Sequence, residues 1–318
     1  MYGEIKVFSG NANIPLAEDI CEYLGISLSQ ADLFQFPNEN IFCRLHASVR
    51  GQDVFVIQPF ARPVNISIME LLIMLDTLRR DSAGRITAVV PYYAYGRTDK
   101  KDQPRVPITA RLLADLIATA GADRFLTIDL HAGQIQGFFS MPGDEITAFH
   151  LQRDYFQEQN IPDAVVVAPD VGSSKKARNL AEALHVPLAI VEKRRMSRAD
   201  RPGTFVEAVT LIGDVTGKNV IMFDDEIDTA GTITEAIAFL NKEGARDIYA
   251  CVTHAVLSDP APTRLRECPL KELVVTDTLP IPPDQALPNI KVLSVAPLLG
   301  EVIRRTHLGV SVGAMFNE

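Results

Sequence analysis

The chain has 318 residues, 47% hydrophobic and 22% charged, the balance of a folded globular protein long enough for two cores of ordinary size. Its formal net charge of −9 argues against broad nucleic-acid binding, and no apolar run reaches the roughly 20 residues needed to cross a bilayer. Cys21, Cys43, Cys251 and Cys268 form no C-x-x-C pair, and the first twenty residues lack the basic end and apolar block of a signal peptide. These features lead us to expect a cytoplasmic protein without membrane or nucleic-acid partners, whose anionic ligands are small and met by local charge.

Short β-rich runs alternate with amphipathic segments along the chain, which predicts parallel sheets with helices on both faces. A strand over 53–58 leads to a helix over 68–80 and a strand over 86–90. Residues 91–101, PYYAYGRTDKK, follow that strand; an aromatic and Arg97 there can sandwich a purine, or the stretch is a solvated basic turn. A helix over 107–119 precedes a strand over 125–129, and His131 stands just past its end, where Asp129 can orient an imidazole toward Mg²⁺. Pro142, Gly143 and Asp144 then interrupt the pattern, and a domain boundary is expected near 141–149. Asp170 follows a strand over 164–168, and a sparse His–Asp set suits Mg²⁺, which keeps waters and substrate phosphates. After a strand over 188–191 comes the basic run EKRRMSRAD with Lys193, Arg194, Arg195 and Arg198. That run reads either as a mobile arm closing on phosphates or as a solvated loop.

The most informative segment is 220–236, VIMFDDEIDTAGTITEA. A buried strand over 220–223 ends in Asp224 and Asp225, and Asp228, Thr229, Ala230, Gly231 and Thr232 make a small-residue turn before a helix over 232–242. The turn's N–H groups and hydroxyls can converge on a phosphate, and the paired acids can accept hydrogen bonds from vicinal sugar hydroxyls. A capped helix alone would not call for two acids at the strand end. A last strand over 248–253 closes an internal echo: Gly121-Ala122 leads through a strand to His131-Ala132, and Gly244-Ala245 leads at the same spacing to His254-Ala255. The echo suggests a duplicated α/β domain.

MELLIMLDTLRR, DLHAGQIQGFF, EKRR and DDEIDTAGTIT together resemble the class I ribose-phosphate pyrophosphokinases over essentially the whole chain. The resemblance implies two tandem phosphoribosyltransferase-like domains, 1–146 joined by 300–318, and 147–299. It implies transfer of the diphosphoryl group of Mg²⁺-ATP to ribose 5-phosphate, in a cytoplasmic homo-hexamer built as a trimer of dimers. ATP falls to Phe36, Asn38, Glu39, Asn40, Arg97, Thr98 and Asp99, and Mg²⁺ to His131 and Asp170. Lys193 and Arg195 match catalytic positions, and Asp224, Asp225 and residues 228–232 the ribose 5-phosphate site. Ser48, Arg50, Ser82 and Ser311 match an effector site for phosphate and ADP.

The chain departs from the family pattern at Asn40, Thr98, Ser173, Lys176, Glu226 and Gly313-Ala314, which touches nucleotide preference, sugar affinity and regulation. Two other readings use the same residues. A phosphoribosyltransferase would share the sugar loop but leave DLHAGQIQGFF unexplained, and a non-catalytic partner subunit would not need both Lys193 and Arg195.

Overall fold

The computed structural model describes residues 2–197 and 204–316, and the side chains of residues 193–208 lie outside the description. The chain divides into two compact units: Met1–Thr147, Asp277–Pro280 and Ser294–Glu318 form the first, and Ala148–Thr276 with Ile281–Leu293 the second. Among the described residues no helix is long and apolar enough to cross a membrane.

The first unit begins with β1 (Ile5–Ser9), α1 (Ile14–Leu24), β2 (Ala31–Gln35), β3 (Ile41–Leu45) and β4 (Asp53–Ile57). It continues through α2 (Val64–Arg80), β5 (Arg85–Val90), α3 (Thr109–Ala120), β6 (Arg124–Ile128) and β7 (Gly143–Ile146). A five-stranded sheet runs β1-β4-β5-β6-β7 with every pairing parallel, while β2 and β3 form a separate antiparallel hairpin. All five residues of β4 are buried, as a parallel strand covered on both faces requires. Its one charge, Asp53, is held by Arg85 Nε at 2.8 Å and lies 2.8 Å from His307 Nδ1. Leu71, Met74, Leu75 and Leu78 line one face of α2 at helical spacing and are fully buried, each contributing about 1.5–3 kcal/mol of transfer free energy.

In the second unit the order is α4 (Phe149–Gln159), β8 (Ala164–Ala168), α5 (Ser174–Leu184), β9 (Leu188–Ser197), β10 (Thr204–Ile212) and β11 (Asn219–Ile227). Then come α6 (Gly231–Lys242), β12 (Ile248–Ala255), α7 (Ala261–Glu267), β13 (Glu272–Thr276) and β14 (Ile290–Leu293). The seven-stranded sheet runs β10-β9-β8-β11-β12-β13-β14, and only β10 is antiparallel to its neighbour. Alternation along β11 sends Val220 and Met222 into one core with Ile233 and Ile237 of α6, and Ile221 and Phe223 into the other with Ala177 and Leu180 of α5. The final helix α8 (Ala296–Leu308) belongs to the first unit, where Gly300 lets it approach α1: a Cβ there would stand 2.4 Å from Tyr23 Cδ1.

Several expected element ends move, three of them beside candidate site residues. β11 does not stop at Phe223 but runs through both acids to Ile227, because Glu226 and Ile227 continue the pairing to His254 and Ala255 of β12. β9 does not stop at Val191; Glu192–Ser197 extends it, paired with β10 in a ribbon whose register shifts between Val206 and Ala208. The basic run is therefore strand as far as Ser197, with Arg198 outside the described residues. β6 ends one residue early, at Ile128, because Asp129 turns to a φ of 41°.

Candidate active site

Parallel strands aim their carboxyl ends at one rim of a sheet, and loops at that rim are where ligands collect. In the first unit the loop after β5 is anchored by Tyr93, which is 4% exposed. Its ring packs 5.5 Å from Phe60, 5.8 Å from Phe125 and 5.8 Å from Phe139, and its hydroxyl donates to Ala110 O at 2.9 Å. Burial pushes that phenol's pKa up. Tyr93 is therefore a core residue rather than half of a purine sandwich. Of Tyr92, Tyr93 and Tyr95 only Tyr95 is exposed, and its hydroxyl donates to Asn65 Oδ1 at 2.9 Å. Tyr95 adopts a φ of 62° and opens a single 3-10 turn, Gly96–Thr98, closed by Thr98 Oγ1 donating to Tyr95 O at 2.7 Å. The turn leaves Arg97 exposed and Asp99 buried, where Gln134 Nε2 donates to the Asp99 carboxylate.

The loop after β6 meets that turn. A Cβ on Gly96 would stand 3.3 Å from His131 Cβ, so the glycine lets the two loops close on each other. His131 itself is exposed. Asp129 N donates to Ile146 O at 3.0 Å, and Leu130 N donates to Glu145 Oε1 at 2.9 Å, both on β7. Arg97, Asp99 and His131 thus belong to one rim, joined by Gln134 and Gly96.

Phe36 and Asn38–Asn40 stand elsewhere in the unit, at the tip of the β2–β3 hairpin. Phe34, Phe36 and Phe42 cluster there with ring centroids 5.1–5.8 Å apart, and Phe34 and Phe36 are exposed. The tip is tied by Phe36 N donating to Asn40 O at 2.8 Å and Asn40 N donating to Asn38 Oδ1 at 3.2 Å, with Glu39 at a φ of 67°. An exposed aromatic edge of this kind offers a flat ligand a stacking surface. Of the effector candidates, Ser48, Arg50 and Ser82 come together: Arg50 N donates to Ser48 Oγ at 3.4 Å, Arg50 pairs with Ala83, and Gly51 N donates to Ser82 O at 2.9 Å. Ser311 is held after α8 by Arg305 Nη1, which donates to its carbonyl at 2.9 Å.

The second unit's rim holds carboxylates. Asp170, after β8, accepts from Ser173 N at 2.9 Å and from Ser173 Oγ at 3.2 Å on Oδ1, so Ser173 fixes its rotamer. On the adjacent strand β11, Asp224 is half-buried and Asp225 is 8% exposed. Burial, then the charge and hydrogen bond of Asp225, then the charge of Asp170 push Asp224 well above the usual carboxylate range. An acid crowded in this way by two neighbouring carboxylates is suited to a cation or to hydroxyl donors. Beyond them Asp228, Thr229 and Ala230 turn the chain, with Thr229 and Thr232 exposed. Ala230 takes a left-handed conformation, φ 60°, which costs an L-residue roughly 1–2 kcal/mol. It is held there by burial beside Ile233 and by Thr234 Oγ1 donating to its carbonyl at 2.7 Å. Arg264 of α7 clamps the turn from outside, its Nη1 donating to Thr229 O at 2.9 Å. The turn's N–H groups lie at the head of α6, the positive end of the helix dipole, where an anion is favoured.

Among the described residues no three His, Cys, Asp or Glu side chains are grouped to hold a metal ion by themselves. An ion here must take most of its ligands from water and substrate, which fits Mg²⁺ and the crowded carboxylates.

The sequence profile for the N-terminal domain of ribose phosphate pyrophosphokinase matches residues 5–121, and that for the phosphoribosyl synthetase-associated domain matches residues 205–317. A ribose-phosphate pyrophosphokinase of Clostridium acetobutylicum is 50% identical over 316 residues, 99% of this chain and 98% of that protein. This chain belongs to the ribose-phosphate pyrophosphokinase family. The Rhizobium meliloti member is 49% identical over 98% of this chain and 100% of its own length. The crystal structure of phosphoribosylpyrophosphate synthetase from Mycobacterium smegmatis superposes with a TM-score of 0.90 at 44% identity, over 96% of this chain and 100% of that one. Membership accounts for the sheets and rims. Sequence reading missed Gln134 as a link, Glu145 and Arg264; Gln134 lies within a motif quoted for the family, whereas Glu145 and Arg264 carry no local signal because their partners are 15 and 35 residues away.

Proposed function

We propose that the protein transfers the β,γ-diphosphoryl group of ATP to the C1 hydroxyl of ribose 5-phosphate, giving 5-phosphoribosyl 1-diphosphate and AMP for nucleotide biosynthesis. The observation that carries this reading is the end of β11, where the Asp224–Asp225 pair stands directly before a strained, Arg264-clamped turn at a helix N-terminus. Asp224 and Asp225 accept hydrogen bonds from the sugar hydroxyls, and residues 228–232 receive the 5-phosphate on backbone N–H groups and threonine hydroxyls. Phe36, Asn38, Glu39, Asn40, Arg97, Thr98 and Asp99 hold ATP. The anomeric oxygen attacks the β-phosphorus in line, the bond from that phosphorus to the oxygen bridging the α-phosphate breaks, and AMP departs with that oxygen. Lys193 and Arg195, on the β9–β10 ribbon, neutralise the transferred group. His131 and Asp170 are the residues proposed for contact with Mg²⁺, which when bound would supply further neutralisation of phosphate charge. Ser48, Arg50, Ser82 and Ser311 form the effector site of a cytoplasmic homo-hexamer, a trimer of dimers.

Incubation with Mg²⁺, ATP and ribose 5-phosphate, followed by ³¹P NMR, tests the reaction. Equimolar AMP and 1-diphosphate are expected. A phosphoribosyltransferase would release no AMP, and a partner subunit would act only when added to an active relative. Lys193→Ala is expected to lower kcat about 100-fold or more; near-normal turnover removes that lysine from the mechanism. Light scattering with and without phosphate reads the assembly, and a donor screen of ATP, GTP and CTP reads the effect of Asn40 and Thr98.

A further inference from the structure

β7 is four residues long, yet it controls the loop that carries His131. Glu145, partly buried in the middle of β7, directs its carboxylate into that loop. Oε1 accepts from Leu130 N at 2.9 Å, one residue before His131. Oε2 accepts from Gln136 Nε2, five residues after it, and lies 4.0 Å from where a Cβ on Gly133 would be. One carboxylate therefore grips both sides of the segment 130–136 and lies against Gly133 between them. The backbone needs such a grip, because Asp129, whose N–H makes the last bond to the β7 backbone at Ile146 O, turns to a φ of 41°, and the next N–H, that of Leu130, is taken up by the Glu145 carboxylate. A charged acceptor makes the stronger hydrogen bond, so an ionised glutamate holds this loop better than a neutral side chain.

We infer that Glu145 is a positioning residue: it sets the direction of the His131 imbidazole through the backbone of Leu130 and the side chain of Gln136, without itself touching substrate. The inference rests on the proposed assignment of His131 to Mg²⁺. Outer groups that orient a metal-binding histidine are worth about 10–100-fold in metal affinity or activity. A glutamate that only tied β7 to the sheet would move stability alone.

The test compares Glu145→Ala, Glu145→Gln and Gln136→Ala in the full chain. Two quantities are read: the Mg²⁺ concentration for half-maximal activity, and amide hydrogen exchange in a peptide covering 130–136 with the substrates absent. Glu145→Ala is expected to raise the Mg²⁺ requirement about tenfold and to speed exchange only in that peptide. Glu145→Gln keeps an acceptor for Leu130 N and should stay within about threefold of the parent. Gln136→Ala loses one of the two links, lies on an exposed side chain, and should speed exchange to an intermediate degree, which decides the matter should Glu145→Ala not fold. Unchanged Mg²⁺ dependence and unchanged local exchange in Glu145→Ala, or unchanged exchange in Gln136→Ala, overturn the inference. His131→Ala separates the two claims: if it alters the Mg²⁺ requirement while the Glu145 variants do not, the positioning role fails alone, and if it leaves the requirement unchanged, the His131 assignment fails and this inference with it.

Discussion

The ends of β6 and β12 began as the same sequence signal and became opposite structures. In each, a helix ends at a glycine, a strand follows, and a histidine-alanine pair comes at matched spacing. β12 keeps its ladder with β11 through Glu226–His254 and Ile227–Ala255, and His254 is 3% exposed. β6 ends at Ile128; after a last backbone bond from Asp129 N to Ile146 O, its short neighbour β7 offers only the Glu145 side chain to Leu130 N, and His131 reaches the exposed rim. A histidine's exposure is thus set by how far its strand stays paired. The same lesson applies to β11, whose long pairing carries Asp225 into a buried position while the strained turn beyond it remains open.

The most direct way to break this contrast is to remove each histidine. His131→Ala is expected to lower activity by about 100-fold through loss of a charge-organising group, with little change in Tm. His254→Ala, which opens a buried polar site, should lower Tm by several degrees and leave the Mg²⁺ dependence alone. Activity titrations and thermal melts of the two proteins side by side decide it. Equal effects on Tm would mean that exposure does not divide their roles.

Asp224→Asn sharpens the account of the second rim. Asp224 has a raised folded pKa, so the folded state holds a proton that the unfolded state releases above the ordinary carboxylate range, and stability falls as pH rises from there toward the folded pKa. The asparagine cannot ionise. Its Tm should therefore match the parent below the ordinary carboxylate range and exceed it increasingly as pH rises above that range, while kcat/KM for ribose 5-phosphate drops at least tenfold. A Tm difference that does not grow with pH would contradict the crowding of Asp224 by Asp225 and Asp170.

Arg264→Ala gives the smallest effect. It removes the clamp on Thr229 O without touching the core, since Arg264 is exposed. KM for ribose 5-phosphate should rise about three- to tenfold with kcat nearly constant, the pattern of lost uniform binding. A fall in kcat at constant KM would place Arg264 in transition-state stabilisation instead.

The alternation of β-rich and helical segments was readable along the chain because each period, two residues or 3.6, lies within one segment. The turn at 228–232, the positions of Arg97 and His131 just past strands, the acid after β8 and the acid pair near the end of β11 were readable for the same reason: each involves sequence neighbours. The β2–β3 hairpin escaped, since Ala31–Gln35 alternates weakly and its three phenylalanines cluster with one another rather than with a core. Which aromatic of 91–101 faces a ligand was not readable, because nothing local distinguishes one that packs on Phe60 and Phe139, as Tyr93 does, from one that faces solvent.

By itself the sequence determined the α/β class, the order of elements, the family, and which short segments carry charge and hydroxyls at strand ends. Only the tertiary structure decided where β6 lets go, how far β9 and β11 run on, and which distant side chains, Glu145 and Arg264 among them, grip the loops. Periodicity and turn preference act over a few bonds, whereas the end of a strand depends on whether its partner still offers donors and acceptors, and that partner comes from another part of the chain.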